Sequence, residues 1–317
     1  MKLLKLVPDN TNIGFVRWRF IGVGISVLLI LLSLFAVVTK GFNFGVDFAG
    51  GVMMEVQFDE TPDVNDLRQR VDALGLGAPN MQEFGDSEVA IRMPLPADGS
   101  PEAVQAQVTA ILGAINEVYP SAELRKQEVV SGKVSNELIR DGTLASVLAM
   151  VAVAAYIWLR FEWQFGVGAL FALIHDVAVA LGVFAWFQIE FDLNIIAALL
   201  TIIGYSLNDT IVNYDRIREN LRKYRKMEMA PLLDLSINEV LARTVMTSLT
   251  MVIALLVLII WGGPVLFGFT LAMLIGIIVG TYSSVYVAGP LLIWLGVGPS
   301  SFLPPEDSNA ERVSARS

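Results

Sequence analysis

No cysteine occurs among the 317 residues, and histidine appears once, at His175. The first absence excludes a disulfide framework and a thiolate-held metal; the second excludes a histidine-rich metal centre. Charge is scarce too, at 17% of residues against 55% hydrophobic, where a soluble domain would carry roughly a quarter charged residues. Such a chain belongs in a membrane. Lys and Arg (22) are outnumbered by Asp and Glu (31), so the net charge of −9 carries no nucleic-acid footprint. A phosphate-cradling G-x-x-x-x-G-K-[ST] run is also missing: Gly132-Lys133 is followed by Val134 and lacks the upstream glycine. ATP is therefore not a direct fuel.

What the chain has in abundance is apolar runs. Those at about Phe20–Val38, Thr143–Leu159, Phe165–Phe187, Ile195–Val212, Thr244–Trp261 and Val265–Leu295 are each long enough to cross a hydrocarbon core of about 30 Å. The first is too long for a signal-peptide core and no A-x-A site follows, so it reads as an uncleaved span. The last is overlong, which predicts a tilt, a kink near Gly289-Pro290 or an interfacial start. Basic residues in short loops set the orientation. Lys2, Lys5, Arg17 and Arg19 precede the first span, Arg160 lies between the second and third, and Arg216 to Lys226 follow the fourth, while Gln188–Asn194 and Gly262–Pro264 contain none. Six transmembrane helices with both termini cytoplasmic follow from this asymmetry, with Arg312 and Arg316 in the tail. The division expected is a cytoplasmic segment 1–19, a first helix 20–39, an outer domain 40–141, five helices over 142–295 with a basic cytoplasmic loop 214–238, and a tail 296–317.

The segment 40–141 has helix starts at Thr61-Pro62-Asp63, read as N-cap, N1 proline and first-turn acid, and at Ser100-Pro101-Glu102. The predicted helices run to Leu74 and Tyr119. Strand-like stretches at Val52–Phe58, Met81–Phe84, Glu88–Met93 and Glu123–Val130 complete the order βαββαβ, that of a ferredoxin-like α+β domain. Its carboxylates scatter over helix faces as a solvated surface would, and none suggests catalysis.

Ionisable residues inside spans are costly and therefore mark function. In the fourth span Ser206, Asp209 and Asn213 follow i, i+3, i+7 spacing, with Asn208 and Thr210 beside them. Asp209 lies about 14 residues, or about 21 Å, below the outer end of its span. Arg243 begins the fifth span with Thr247 and Thr250 on its face, at a matching inner depth, which makes it the obvious partner of Asp209. An arginine there can instead snorkel to the headgroups. His175-Asp176, in the middle of the third span, is either a structural hydrogen-bonded pair or a second protonatable station. Two intramembrane aspartates also raise an aspartyl protease, whose carboxylates would have to share one proton; an Arg243 that holds Asp209 ionised argues against it.

Several motifs resemble the SecD/SecF family of protein-export subunits. Gly41-Phe42-Asn43-Phe44-Gly45-Val46-Asp47-Phe48-Ala49-Gly50-Gly51 follows the first span as the family's G-x-D-F-x-G-G element does. Arg160-Phe161-Glu162-Trp163, Ala172-Leu173-Ile174-His175-Asp176, Gly204-Tyr205-Ser206-Leu207-Asn208-Asp209-Thr210 and Asp215-Arg216-Ile217-Arg218-Glu219-Asn220 carry the likeness further. The resemblance implies an RND-like half that pairs with a SecD-like subunit in the bacterial cytoplasmic membrane and is not an enzyme. It implies use of the proton-motive force to help the SecYEG channel export preproteins, with YajC and YidC as possible companions. No cofactor is implied; the coupling ion is H⁺, with Na⁺ left open. Asp209 and Arg243 match the family's intramembrane pair, Asp176 a further family position, and Ser206, Asn208 and Thr247 are expected to support them. Gly45, Asp47, Gly50 and Gly51 belong to the glycine element. A self-sufficient RND-type small-molecule exporter, which would require this half to homodimerise, is the competing reading.

Overall fold

The computed structural model describes residues 7–8, 11–84 and 87–298. Lys2, Lys5 and the tail basic residues Arg312 and Arg316 lie outside the described residues. Helix α1 (Arg19–Lys40) leads through strand β1 (Asn43–Phe44) and the one-turn helix α2 (Val46–Ala49) into the outer domain. That domain comprises β2 (Gly51–Gln57), α3 (Val64–Ala73), β3 (Asn80–Phe84), β4 (Glu88–Met93), α4 (Pro101–Asn116) and β5 (Glu123–Val130). Helices α5 (Gly132–Arg160) and α6 (Trp163–Phe187), strand β6 (Glu190–Phe191), then α7 (Leu193–Lys223), α8 (Met229–Trp261), α9 (Pro264–Tyr286) and α10 (Ala288–Trp294) complete the chain. Among the described residues six helical segments are long and apolar enough to cross a membrane, the sixth combining α9 and α10.

The outer sheet has the order β3-β4-β2-β5 with every neighbour antiparallel. This is the split βαβ arrangement: the crossover through α3 leaves a gap that β4 fills, and the crossover through α4 passes over β2. Val52, Met54 and Val56 alternate along β2 toward one face, where Leu67 and Val71 of α3 and Val104, Val108, Ile111 and Ile115 of α4 bury against them. Leu67 is fully buried, so Leu67→Ala would cost about 2–5 kcal/mol. Ser100 caps α4 as expected, accepting from Ala103 N at 3.2 Å, though the helix stops at Asn116, short of Tyr119. The cap of α3 is Asp63 rather than Thr61. Its extended backbone (φ −78, ψ 103) lets its own carboxylate accept from Asn65 N at 2.9 Å, so Pro62 precedes the helix instead of opening it.

In the membrane bundle the helices outrun their apolar stretches. The segment 214–238 is a correction: it is mostly helix rather than loop, because α7 continues to Lys223 and α8 already starts at Met229. Leaving hydrocarbon does not end a helix whose polar turns still satisfy their backbone and bury Ile217, Leu221, Leu232 and Leu233. Likewise α5 begins at Gly132, capped by Ser131, directly after the sheet. The overlong last span breaks at Val287, three residues before Pro290, the interruption expected there.

Small residues let the bundle helices close up, since lipid offers no hydrophobic drive. A Cβ on Gly276 would stand 2.4 Å from Ile202, and one on Gly280 3.0 Å from Ser206 Cβ, so α9 is pressed against α7. A Cβ on Gly182 would meet Ser33 at 2.0 Å, which seats α1 against α6.

Candidate functional site

Two buried carboxylates stand on neighbouring helices. Asp176 of α6 is 0% exposed and both its oxygens are occupied. His175 Nδ1 lies 2.9 Å from Oδ1, Ser283 Oγ of α9 donates to Oδ2 at 2.8 Å, and Ser206 Oγ of α7 donates to the same oxygen. The His175 ring, equally buried, faces Tyr282 at 6.3 Å between centroids. Tyr282 in turn donates to Gly22 O of α1 at 2.6 Å. Asp176 therefore ties α6, α7 and α9 together, with α1 joined through Tyr282.

Asp209 of α7 is 3% exposed, and its Oδ2 has no hydrogen-bond partner. Beside it lie the hydroxyls of Ser248 on α8 and Thr281 on α9, 2.7 Å from one another. Further unpartnered polar atoms continue the stripe: Tyr205 Oη and Asn213 Nδ2 flank Asp209 at i−4 and i+4 on α7, and Thr244 Oγ1 belongs to α8. Residues four apart share one helix face, so three successive turns of α7 carry polar atoms with unused hydrogen-bonding capacity. Such a stripe can pass or hold a proton; a saturated carboxylate resists doing so.

Ser206, Asp209 and Asn213 are all buried on one face, as the spacing predicts. Arg243 is placed differently. Its charge acts on Asp209, but among the described residues no ion pair joins the two. Arg243 is exposed on α8, while the buried Thr244 and the half-buried Ser248, four residues apart, occupy the face turned inward. The expected direct pair is thus open in this conformation. Thr247 Oγ1 donates to its own helix, to Arg243 O at 3.1 Å and Thr244 O at 3.0 Å, and offers Asp209 no bond here. Asn208 is exposed, about 100° around the helix from Asp209, and stands apart from the cluster.

Sequence reasoning missed α9. Thr281, Tyr282 and Ser283 supply partners to both carboxylate neighbourhoods. The available signal was a hydroxyl run inside an apolar span, one residue after a Gly276/Gly280 pair at helical spacing. The saturation of Asp176 by His175, Ser206 and Ser283 also removes the shared-proton dyad that an aspartyl protease needs.

The glycine element forms a clasp between the outer sheet and the bundle. β1 pairs in parallel with β6, and Gly45 N donates to Phe191 O at 2.9 Å. A Cβ on Gly45 would lie 2.8 Å from Glu190 Oε1. Gly50 (φ +71) and Gly51 (φ +127) adopt backbones that side chains rarely allow, and a Cβ on Gly51 would stand 2.5 Å from Met93 O. Asp47 Oδ2 accepts from Leu193 N at 3.0 Å and Asp192 Oδ1 from Ile195 N at 3.1 Å, so two carboxylates cap α7 where its dipole favours them. Arg92 of the sheet is ion-paired with Glu190 and donates to Asn43 Oδ1 at 3.2 Å. Burial raises the Glu190 carboxyl above its usual range, opposed by the Arg92 guanidinium; burial raises Asp192 as well, against the bonds from Ile195 and Asn194. A cavity of about 510 Å³ opens beside the clasp, between the uncovered face of the sheet (Met53, Glu55, Lys126) and the bundle (Ile260, Phe267).

Family models meet the chain at both places. Residues 35–62 match the SecD/SecF GG motif, and residues 110–298 match the C-terminal region of the protein export membrane protein SecD/SecF. The chain belongs to the SecD/SecF family. A protein translocase subunit SecF of Cereibacter sphaeroides is 44% identical over 313 residues, 97% of this chain and 96% of that protein. The SecF subunit of Vibrio alginolyticus is 42% identical over 306 residues, covering 96% of each chain. Among solved structures, SecDF of Thermus thermophilus, titled a translocon-associated membrane protein, matches 90% of this chain at 33% identity with a TM-score of 0.83. SecDF in a super-membrane-facing form matches with a TM-score of 0.67 and 31% identity. This chain spans 39% and 41% of those two SecDF chains. The SecF relatives are named as translocase subunits, and with six helices long and apolar enough to cross a membrane among its described residues this chain is a multi-pass membrane protein.

Proposed function

We propose that this chain is the SecF-type half of a proton-driven accessory to protein export, complete only with a SecD-like subunit. Support for the pairing comes from the solved SecDF chains, of which this chain spans about two fifths. The proposed setting is the bacterial cytoplasmic membrane with both termini inside. The SecYEG channel and its exported preproteins are the proposed clients, with YajC and YidC as further partners.

The observation that carries the mechanism is the unpartnered oxygen of buried Asp209. A buried carboxylate with an unpartnered oxygen takes up a proton or recruits a cation, and Arg243, whose charge acts on Asp209, is held outward by α8 in this conformation. Protonated, Asp209 is neutral and tolerates the open arrangement; deprotonated, it draws Arg243 inward, and Arg243 keeps its charge throughout. Each unit of pKa difference between the two arrangements couples about 1.4 kcal/mol to shape, and a proton crossing 100 mV supplies about 2.3 kcal/mol. The magnitudes match, so a swing of one to two units suffices to drive a cycle. Through α7, whose outer end is capped from the clasp, the change reaches the outer domain. Asp176, Ser206 and Ser283 hold the helix packing against which this movement occurs.

The test is preprotein translocation in inverted vesicles with the proton and sodium gradients collapsed separately. Loss with the proton gradient alone supports the reading, loss with sodium alone reassigns the ion, and indifference to both refutes it.

A further inference from the structure

From Asp209 toward the Lys223 end of the bundle, the seam between α7 and α8 holds buried polar atoms that the packing leaves unused. Asp209, Asn213, Arg216 and Asn220 recur along α7 at steps of four, three and four residues, one stripe of the helix. Along α8 runs the four-residue ridge Ser236, Val240, Thr244, Ser248. Both ends of that ridge meet the stripe: Ser248 lies beside Asp209, and Asn220 Nδ2 donates to Ser236 Oγ at 3.0 Å. Asn213 and Thr244 are each one turn in from the Asp209–Ser248 level, so the antiparallel run of the two helices sets them across the seam from each other. Asn213 is 2% exposed and Thr244 5%, yet Asn213 Nδ2 and Thr244 Oγ1 have no partner, and neither has Oδ1 of Asn220, which is 1% exposed. Buried donors and acceptors that face one another in this way are where proteins keep ordered water.

We infer that the seam binds a short file of water running from Asp209 past Asn213 and Thr244 to Asn220, and that the proton leaves by this file. The inference deepens the proposed function and rests on Asp209 being the group that takes up the proton. The seven residues from Asn213 to Asn220 rise about 10 Å, which a few waters bridge. At the end of the file Asn220 Nδ2 also donates to Glu239 Oε2 at 2.6 Å, Arg216 Nε donates to the same oxygen at 2.7 Å, and Glu239 is exposed. A proton that Asp209 gives to the first water displaces another along the file, and the excess proton reaches bulk water beside Glu239. The carboxylate stays behind and no water is consumed. The opposite direction is closed. Outward of Tyr205 the same two helices bury Ala198, Ile202 and Leu255 together with Met273 and Ile277 of α9. One buried hydroxyl there, Thr270 Oγ1 of α9, has no partner, but it stands eleven residues, about 16 Å, from Thr281, and every residue between them on α9 is apolar. Asp209 is thus open to one side of the membrane only.

The chain has no cysteine, so single cysteines read the file directly. The full chain, with its copurifying subunit, is placed in inverted and in right-side-out vesicles and exposed to silver ion, which is small enough to follow water. Thiols still free are then alkylated after unfolding and counted by mass on this chain's peptides. Asn213→Cys and Thr244→Cys should be blocked from the side on which Lys223→Cys is blocked, and not from the other. Ile202→Cys and Leu255→Cys, walled in by apolar side chains, should react roughly tenfold more slowly from either side. Ser248→Cys, at the deep end of the file, should be blocked from the Lys223 side, and adding Asn213→Leu should slow that block roughly tenfold by displacing the water. If Asn213→Cys fails to accumulate, Thr244→Cys and Ser248→Cys carry the test. Seam thiols that stay free while Lys223→Cys is blocked, blocking from the opposite side, or equally fast blocking of Ile202→Cys would overturn the proposal. Labelling needs no gradient, which separates the file from the coupling. A blocked seam with export indifferent to both gradients keeps the file and removes Asp209 as the coupling group; a free seam with proton-dependent export removes the file alone.

Discussion

Asp176 and Asp209 are the same residue type, on adjacent helices, buried to within 3% of one another, and their surroundings are opposite. The first is surrounded by donors from α6, α7 and α9; the second has an oxygen with none. Burial alone therefore does not identify a working carboxylate. A saturated one gains nothing from a proton and would strand its donors on taking one, whereas an unsaturated one keeps an oxygen free to accept a proton. On the proposed reading, Asp176 packs the bundle and Asp209 does the coupling.

The hardest test of that division is to make one substitution at both positions. Asp209→Ala should leave the protein folded and present in the membrane while removing at least tenfold of gradient-dependent export, as should the isosteric Asp209→Asn. Asp176→Ala should instead lower the amount of folded protein, since each hydroxyl or ring left without its acceptor costs about 1–3 kcal/mol. Export per molecule and thermal stability in mild detergent, measured on the same preparations, separate the two. An Asp176→Ala protein of normal stability and no activity would collapse the distinction.

Next in size are the Arg243 variants. Arg243→Met should resemble Asp209→Asn in export, and the double variant should be no worse than either single, because one switch can be disabled only once. Arg243→Lys should fall between them and the unaltered protein, as an ammonium lacks the guanidinium fork. Additive losses would mean that exposed Arg243 only reaches the headgroups.

Part of this was legible in the chain. Asp209 announces itself as an acid within an apolar run, and the β-prone stretch Val52–Phe58, where Glu55 and Gln57 alternate with Met54, Val56 and Phe58, points to the first strand of the outer sheet. The βαββαβ order follows because each helix start carries its own capping chemistry; Thr61 and Asp63 can both cap, and only the backbone at Asp63 decides between them. The saturation of Asp176 was not legible, because Ser283 comes from 107 residues away. Nor was the open state of Arg243: periodicity puts it beside Thr247, but which stripe of α8 faces α7 depends on how Ser248 meets Thr281. The clasp was half visible, its glycines in the motif and its Arg92–Glu190 pair in two unrelated segments.

The clasp sharpens the comparison from outside the membrane. Gly51→Val should destabilise the outer domain more than Gly50→Val, since at Gly51 a Cβ meets the Met93 carbonyl at 2.5 Å, whereas at Gly50 the nearest atoms stand at 3.4 Å. Protease resistance of the outer domain reads this directly. A Gly51→Val protein that resists protease normally yet exports nothing would place the glycines in contact with substrate instead. Smaller again is Ser283→Ala, which removes one of the two hydroxyl donors to Asp176 Oδ2 and should cost about 1 kcal/mol of stability with gradient dependence intact.

The smallest effect concerns the acids of the clasp, whose raised carboxyls could be mistaken for the origin of proton dependence. Folding favours the neutral form of Glu190, so its contribution to stability is fully present below the ordinary glutamate range and is lost as pH rises through the higher folded value. Asp192, raised by burial as well, contributes a slope of the same sign. Glu190→Gln cannot ionise, so the fall in outer-domain stability with rising pH should become shallower, with the Asp192 share remaining. Thermal unfolding across that pH window measures it. Proton-gradient dependence of export should be unaltered in this variant, because the coupling group proposed is Asp209. If Glu190→Gln flattened the export profile instead, the coupling would have to be moved out of the bundle and into the clasp.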